Sequence, residues 1–168
     1  NNFINVKIEN CYFENFSSEF FNDFDFILIS SLLHEIEDLQ AFFDKLIEVS
    51  SHDCIIHINV PNANSLHRLL GKSMGVIKDT HEKTLNNIKL QTIRIFNAQS
   101  LEDIVSKYNF KILHKESFFI KPFTHSQMQA MLDNKIIDNK ILEGLFNLST
   151  DDSLGENIGS ELIIEFTK

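Results

Sequence analysis

The chain has 168 residues, 43% of them apolar, and a formal net charge of -9. That length and content suit one domain with a real core, and the acidic balance argues against nucleic acid as a partner, because phosphate binding needs a basic face. No apolar run reaches the roughly eighteen residues of a membrane span, and the opening NNFINVKIEN has no basic stretch followed by an apolar core, so neither a membrane nor a secretion signal is expected. Cys11 and Cys54 lack metal-ligand spacing and read as reduced, buried thiols of a cytoplasmic protein.

The elements follow in chain order. INVKIENCYF (4–13) alternates apolar and polar residues and predicts a first strand, followed by the aromatic-studded connection ENFSSEFFNDF. FDFILIS (24–30) is continuously apolar, the pattern of a strand covered on both faces. In LQAFFDKLIEVSS, Leu39, Phe42, Phe43, Leu46 and Ile47 make one apolar helical face, with Asp38 as N-cap. CIIHINVP (54–61) predicts a second buried strand stopped by Pro61, in which His57 reads as a satisfied core histidine. NANSLHRLLG then offers an Asn cap and Gly71 as a stop, and SLEDIVSKYNF repeats the helical pattern. A strand (FKILHKESFFI), one or two helices within residues 126–148 and a last strand, ELIIEF (161–166), complete the chain. The Phe residues at 13, 16, 20, 21, 24 and 26, and Met128 with Met131, read mainly as packing.

Strands alternating with helices predict an α/β domain with a mainly parallel sheet and a C-terminal antiparallel pair. In such sheets ligands bind beyond the carboxyl ends of the strands. Those ends carry Tyr12, Phe13 and Glu14, then Ser30 and Ser31 with His34 and Glu35 just beyond, then Asn62, Asn64, His67 and Arg68. Imidazole is a competent base at neutral pH, so His34 is the candidate catalytic group, against the alternative of a loop-capping role. Glu35, Glu37 and Asp38 read most simply as a solvated loop plus a helix cap. His34 and Asp38 offer ligand chemistry without a third ligand at diagnostic spacing, so no metal is expected.

FDFILISSLLHEIEDLQAFFDKL and IIHINVPNANSLHRLLG, with VKIENCYFENF, MGVIKDTHE and KPFTHSQM, resemble segments of the class I S-adenosylmethionine (SAM) dependent methyltransferases of the small-molecule type. The resemblance spans residues 4–168. It implies a Rossmann-like methyltransferase fold with strand order 3-2-1-4-5-7-6, SAM as cofactor, and a methyl group transferred to a small-molecule acceptor, oxygen more readily than nitrogen. It places Tyr12, Phe13 and Glu14 around the adenine, with Phe13 on its face and Glu14 standing in for the acid the family often has at the Tyr12 position. It puts Ser30 and Ser31 beside the methionine end, His34 at the transferred methyl, and Glu35, Asn62, Asn64, His67, Arg68 and Arg94 toward the substrate.

Several family features are absent. The loop before the fifth strand is SSHD instead of Gly-rich, LQTIRIF keeps only Arg94 of an expected charged set, and no glycine precedes Gly71, so the glycine turn that cradles SAM has no counterpart. These absences lead to an expectation that residues 1–168 form the C-terminal part of a single methyltransferase domain. The N-terminal strands, roughly 60 to 100 residues with their helices, would lie outside this sequence, and about 62–95 and 121–150 would form the substrate cover. The alternative is an inactive methyltransferase-like binding or partner subunit. A dehydrogenase is disfavoured because it too needs a phosphate-binding glycine turn.

Overall fold

The computed structural model describes residues 6–21, 24–149 and 157–168. Its elements are β1 (Phe26–Ser30), α1 (Leu39–Val49), β2 (Ile55–Pro61), α2 (Leu66–Ser73), α3 (Leu85–Lys89), α4 (Ala98–Lys107), β3 (Lys111–Phe118), α5 (His125–Asp133), α6 (Asn139–Leu148) and β4 (Glu161–Thr167). The sheet order is β1-β2-β4-β3. β1 pairs parallel with β2, while β4 lies antiparallel between β2 and β3. This is the 4-5-7-6 portion of the expected order, with the last strand of the chain inserted between its two predecessors. The expected antiparallel pair is present, and the parallel part amounts to the β1–β2 pair among the described residues.

One face of the sheet carries the core. Ile56, Ile58 and Val60 of β2 and Leu162, Ile164 and Phe166 of β4 point to it at alternate positions. Against them pack Phe42, Phe43 and Leu46 of α1 with Leu101 and Val105 of α4. The i, i+3, i+4, i+7 spacing therefore does what it predicts, each fully buried large side chain contributing about 2–3 kcal/mol. Asp38 caps α1 by accepting from the Ala41 amide at 3.0 Å.

Four expectations are corrected. Residues 6–12 form no strand, only a 3-10 turn at Phe13–Asn15 following them, and residues 4 and 5 lie outside the described residues. Alternation alone makes no strand without a neighbour to accept its ladder. β1 is not covered on both faces: Phe26 and Leu28 are 48% and 61% exposed among the described residues. α2 does not stop at Gly71 but runs two residues further, and Ser65, with no side-chain cap bond, stands at its N-cap in place of an Asn. Cys54 is buried as expected, whereas Cys11 is exposed. None of the described helices is long and apolar enough to cross a membrane.

Candidate functional site

The chain leaves β1 through Ser31, whose φ of 49° turns the backbone sharply at the strand end. The Ser31 amide donates to the Asn59 carbonyl at 3.0 Å, and the Asn59 side-chain amide donates to Ser31 Oγ at 3.3 Å, so the carboxyl ends of β1 and β2 form one polar rim. Ser30 and Ser31 border a cavity of about 460 Å³ walled by Phe13, Ile27, Leu28 and Phe42. The ring of Phe13 lies 5.0 Å from that of Phe42 and 5.6 Å from that of Phe21, so this wall is built from aromatic packing. The geometry thus joins Phe13 with Ser30 and Ser31. Tyr12, 80% exposed, and Glu14 do not line this cavity.

His34 sits in a 3-10 turn, Leu33–Glu35, and is 8% exposed. Its Nδ1 is sealed without a partner, and Nε2 stands 3.6 Å from Glu35 Oε1. Burial lowers its pKa, only partly offset by Glu35, so the ring is neutral at pH 7. His34 lines neither the cavity beside Ser31 nor the one described next. Arg94, expected at the substrate, holds the His34 turn. Its guanidinium donates to the carbonyls of Ile36 and Glu37, the latter at 2.8 Å. The amides of Ile93 and Arg94 donate to the His34 carbonyl at 2.9 and 3.1 Å.

Past β2 the polar residues largely hold one another. Asn62, 3% exposed, donates to the carbonyls of Asn157 and Gly159 at 2.8 Å each, and its Oδ1 accepts from the Asn64 amide at 2.8 Å. Asn64 Oδ1 accepts from Thr80 Oγ1 at 3.1 Å. Arg68 donates to the carbonyls of Thr80 at 2.7 Å and Glu82 at 2.6 Å, pinning the segment after α2.

His67 is different, because its Nδ1 is buried without a partner. Desolvation, helped by the nearby Lys121 and Arg68 cations, pushes its pKa down to about 4. Since the folded value lies below the unfolded one near 6.5, the stability it contributes is complete above that value and is lost as pH falls toward 4. The upper bound on that loss is about 3 kcal/mol, which remaining exposure reduces to roughly half. We expect the urea midpoint of the wild type to fall between pH 6.5 and 4, and His67→Gln to remove part of that slope. An unchanged slope in the variant would refute this assignment.

Sequence reasoning missed the residues at the first turn of β4. Glu161 pairs in register with Pro61 and stands beside Asn59, whose side-chain hydrogen bond it shares. Its Oε2 is buried with no partner, and the adjacent Ser160 Oγ is in the same condition. Desolvation raises the Glu161 pKa, with Lys121 and Asn59 acting in the opposite direction. The signal in the sequence was weak: a carboxylate opening the alternating strand ELIIEF, on the face that alternation sends away from the core. Further along that face, His57 Nδ1 lies 2.9 Å from Glu165 Oε1, so His57 is satisfied as expected but sits on the face opposite the core and not within it.

No family model matches the chain, and no curated protein sequence matches it. Solved structures do. An S-adenosylmethionine dependent methyltransferase from Mesorhizobium loti has a TM-score of 0.54 at 13% identity, over 95% of this chain and 68% of its own. A SAM dependent methyltransferase from Archaeoglobus fulgidus has a TM-score of 0.43 at 16% identity, over 90% and 64%. Phosphoethanolamine N-methyltransferase 2 from Haemonchus contortus, in complex with S-adenosyl-L-methionine, has 0.48 at 12%, over 86% and 33%. The chain thus spans 64% of the Archaeoglobus protein and a third of the Haemonchus one. The fold of these residues is the Rossmann-like α/β fold of the class I SAM-dependent methyltransferases.

Proposed function

We propose that this chain acts in SAM-dependent methyl transfer to a small molecule, oxygen being favoured over nitrogen as acceptor. The observation that carries the reading is the pair of strand ends. β1 and β2 run parallel with their carboxyl ends joined by Ser31 and Asn59; a cavity beside β1 reaches Ser30 and Ser31, and on the other side Asn59 meets Glu161, which lines an apolar pocket. In this fold that rim is where ligands bind.

The residues beside Ser31 suit the cofactor. Phe13 and Phe42 give an apolar wall, and Ser30 and Ser31 place hydroxyls and strand-end backbone at its lip. SAM, when bound, supplies an activated methyl on a sulfonium that departs as a neutral thioether. The protein then has to orient the acceptor and take up its proton. His34 is the proposed proton acceptor: it lines neither cavity, but its ring is neutral at pH 7, and Glu35 is close enough to Nε2 to stabilise the imidazolium. Arg94 positions the turn that carries it.

Calorimetric titration with SAM and with its demethylated product, followed by transfer from methyl-labelled SAM, tests the reading. The full-length protein is expected to bind SAM, and His34→Gln in it is expected to keep that affinity while losing on the order of 10²-fold or more in transfer rate. Absence of SAM binding in the full-length wild type would overturn the proposal. An unchanged rate in the variant would remove His34 from the proton path.

A further inference from the structure

The cavity of about 550 Å³ between α5, α6 and the start of β4 falls within the range of about 300 to 1,000 Å³ typical of small-molecule sites. Its walls are apolar: Met128 and Leu132 from α5, Leu142 and Phe146 from α6. Its polar end is small and chemically specific. Ser160 and Glu161 both line it, and Ser160 Oγ and Glu161 Oε2 are buried without a hydrogen-bond partner. Ser160 as a whole is 6% exposed.

Buried polar atoms are paired in nearly all native structures, and an orphan costs roughly 1–3 kcal/mol, so two neighbouring orphans facing one cavity point to a ligand that completes them. The group that satisfies both at once is a hydroxyl, whose O–H donates to the Glu161 carboxylate while its oxygen accepts from the Ser160 hydroxyl. The surroundings disfavour charged alternatives, because Lys121 and Glu161 already offset one another. Lys121 also borders the cavity and acts on Glu161, so a cationic amine would meet a like charge. A carboxylate ligand would meet the Glu161 oxygen that has no partner.

We propose that this cavity binds an uncharged, largely apolar molecule through one hydroxyl held by Ser160 and Glu161. If the methyltransferase reading holds, on which only this last step rests, that molecule is the acceptor, anchored by this hydroxyl while a different acceptor atom faces the transferred methyl. Asn59, which touches both Ser31 and Glu161, then links the acceptor site to the cofactor rim.

The test uses the whole protein without SAM and three probes: 2-naphthol, its methyl ether and 2-naphthoate. Calorimetry is expected to show 2-naphthol binding roughly tenfold or more tightly than the methyl ether, which cannot donate, and 2-naphthoate binding least. Glu161→Ala is expected to erase the preference for naphthol over the ether. Leu142→Trp, which fills the cavity from α6, is expected to abolish binding of both. Equal affinities for naphthol and ether in the wild type, or undiminished binding in Leu142→Trp, would overturn the proposal. SAM titrated separately keeps the two ideas apart. Naphthol binding without SAM binding would sink the methyltransferase reading and leave this site standing; the reverse result would do the opposite.

Discussion

Replacing Gly159 by alanine is expected to destabilise the protein by about 3 kcal/mol or more, enough to leave much of a marginally stable domain unfolded. The cause is contact with main chain. A Cβ at Gly159 would stand 2.5 Å from the Phe118 nitrogen, 2.6 Å from its carbonyl oxygen and 2.8 Å from the Ser117 carbonyl carbon. Unlike the tip of a flexible side chain, these atoms cannot step aside without breaking the register of β3 against β4, which pairs Phe118 with Glu161. The Gly159 amide also donates to Ser117 Oγ at 3.1 Å, and the Ser160 amide to the Phe119 carbonyl at 3.0 Å, so displacing the segment loses these bonds as well. Gly144 provides the control. It lies in α6 with nothing within 4 Å of an added Cβ, and Gly144→Ala is expected to stabilise the protein by about 0.5–1 kcal/mol through helix propensity alone. Urea unfolding of the two variants should give shifts of opposite sign. A Gly159→Ala midpoint within error of the wild type would show that the β3–β4 entry tolerates a shift that its geometry forbids.

The same segment explains how far the sequence could be read. Periodicity reports on the neighbours an element packs against, so it found α1 through Phe42, Phe43 and Leu46, and the apolar runs found β2 and β4 as strands, though not which face is buried. It failed where pattern and pairing part company. Residues 6–12 alternate as a strand does but find no ladder partner, and Gly71 sits inside α2, where Ile77 atoms at 3.7 and 3.8 Å still leave a Cβ ordinary room. Of the candidate site, the rim residues Ser30 and Ser31 were legible because the end of an apolar run fixes a position in the fold. His34 was legible as a turn residue, but the clamp that Arg94 forms on its turn comes from 58 positions away and leaves no local mark. Ser160, Glu161 and Lys121 were invisible for the same reason. An antiparallel strand inserted last into the sheet carries its first residues to the carboxyl ends of β2 and its neighbours, and only the strand order discloses that.

Asn62→Ala is expected to cost about 2–4 kcal/mol, an effect on the fold with no need of a ligand. The side chain was a candidate for substrate contact, yet its amide nitrogen holds the carbonyls of Asn157 and Gly159, and its oxygen holds the Asn64 amide. Three hydrogen bonds at a 3% exposed position saturate most of what an amide can offer. Truncation leaves three main-chain groups seeking partners in a partly buried setting, the Gly159 carbonyl fully so, and the penalty of orphaning them exceeds the modest net value of the bonds themselves. The Asn62 main chain is engaged too, its amide donating to the Ser160 carbonyl at 2.9 Å, while the Leu66 amide donates to Ile158 at 2.9 Å. The exit of β2 and the start of α2 are thereby tied to residues 157–160, immediately before Ser160 and Glu161 enter the cavity. Asn62→Asp makes the distinction sharper. The carboxylate keeps the bond from Asn64 but meets two carbonyl oxygens with no proton to give, so it should destabilise at least as much as alanine at pH 7 and recover partly as the pH is lowered through its titration. Denaturant midpoints of both variants at pH 7 and pH 5 decide the matter. Two variants with wild-type midpoints that nevertheless lose ligand affinity would return Asn62 to the list of binding residues and contradict the bracing role.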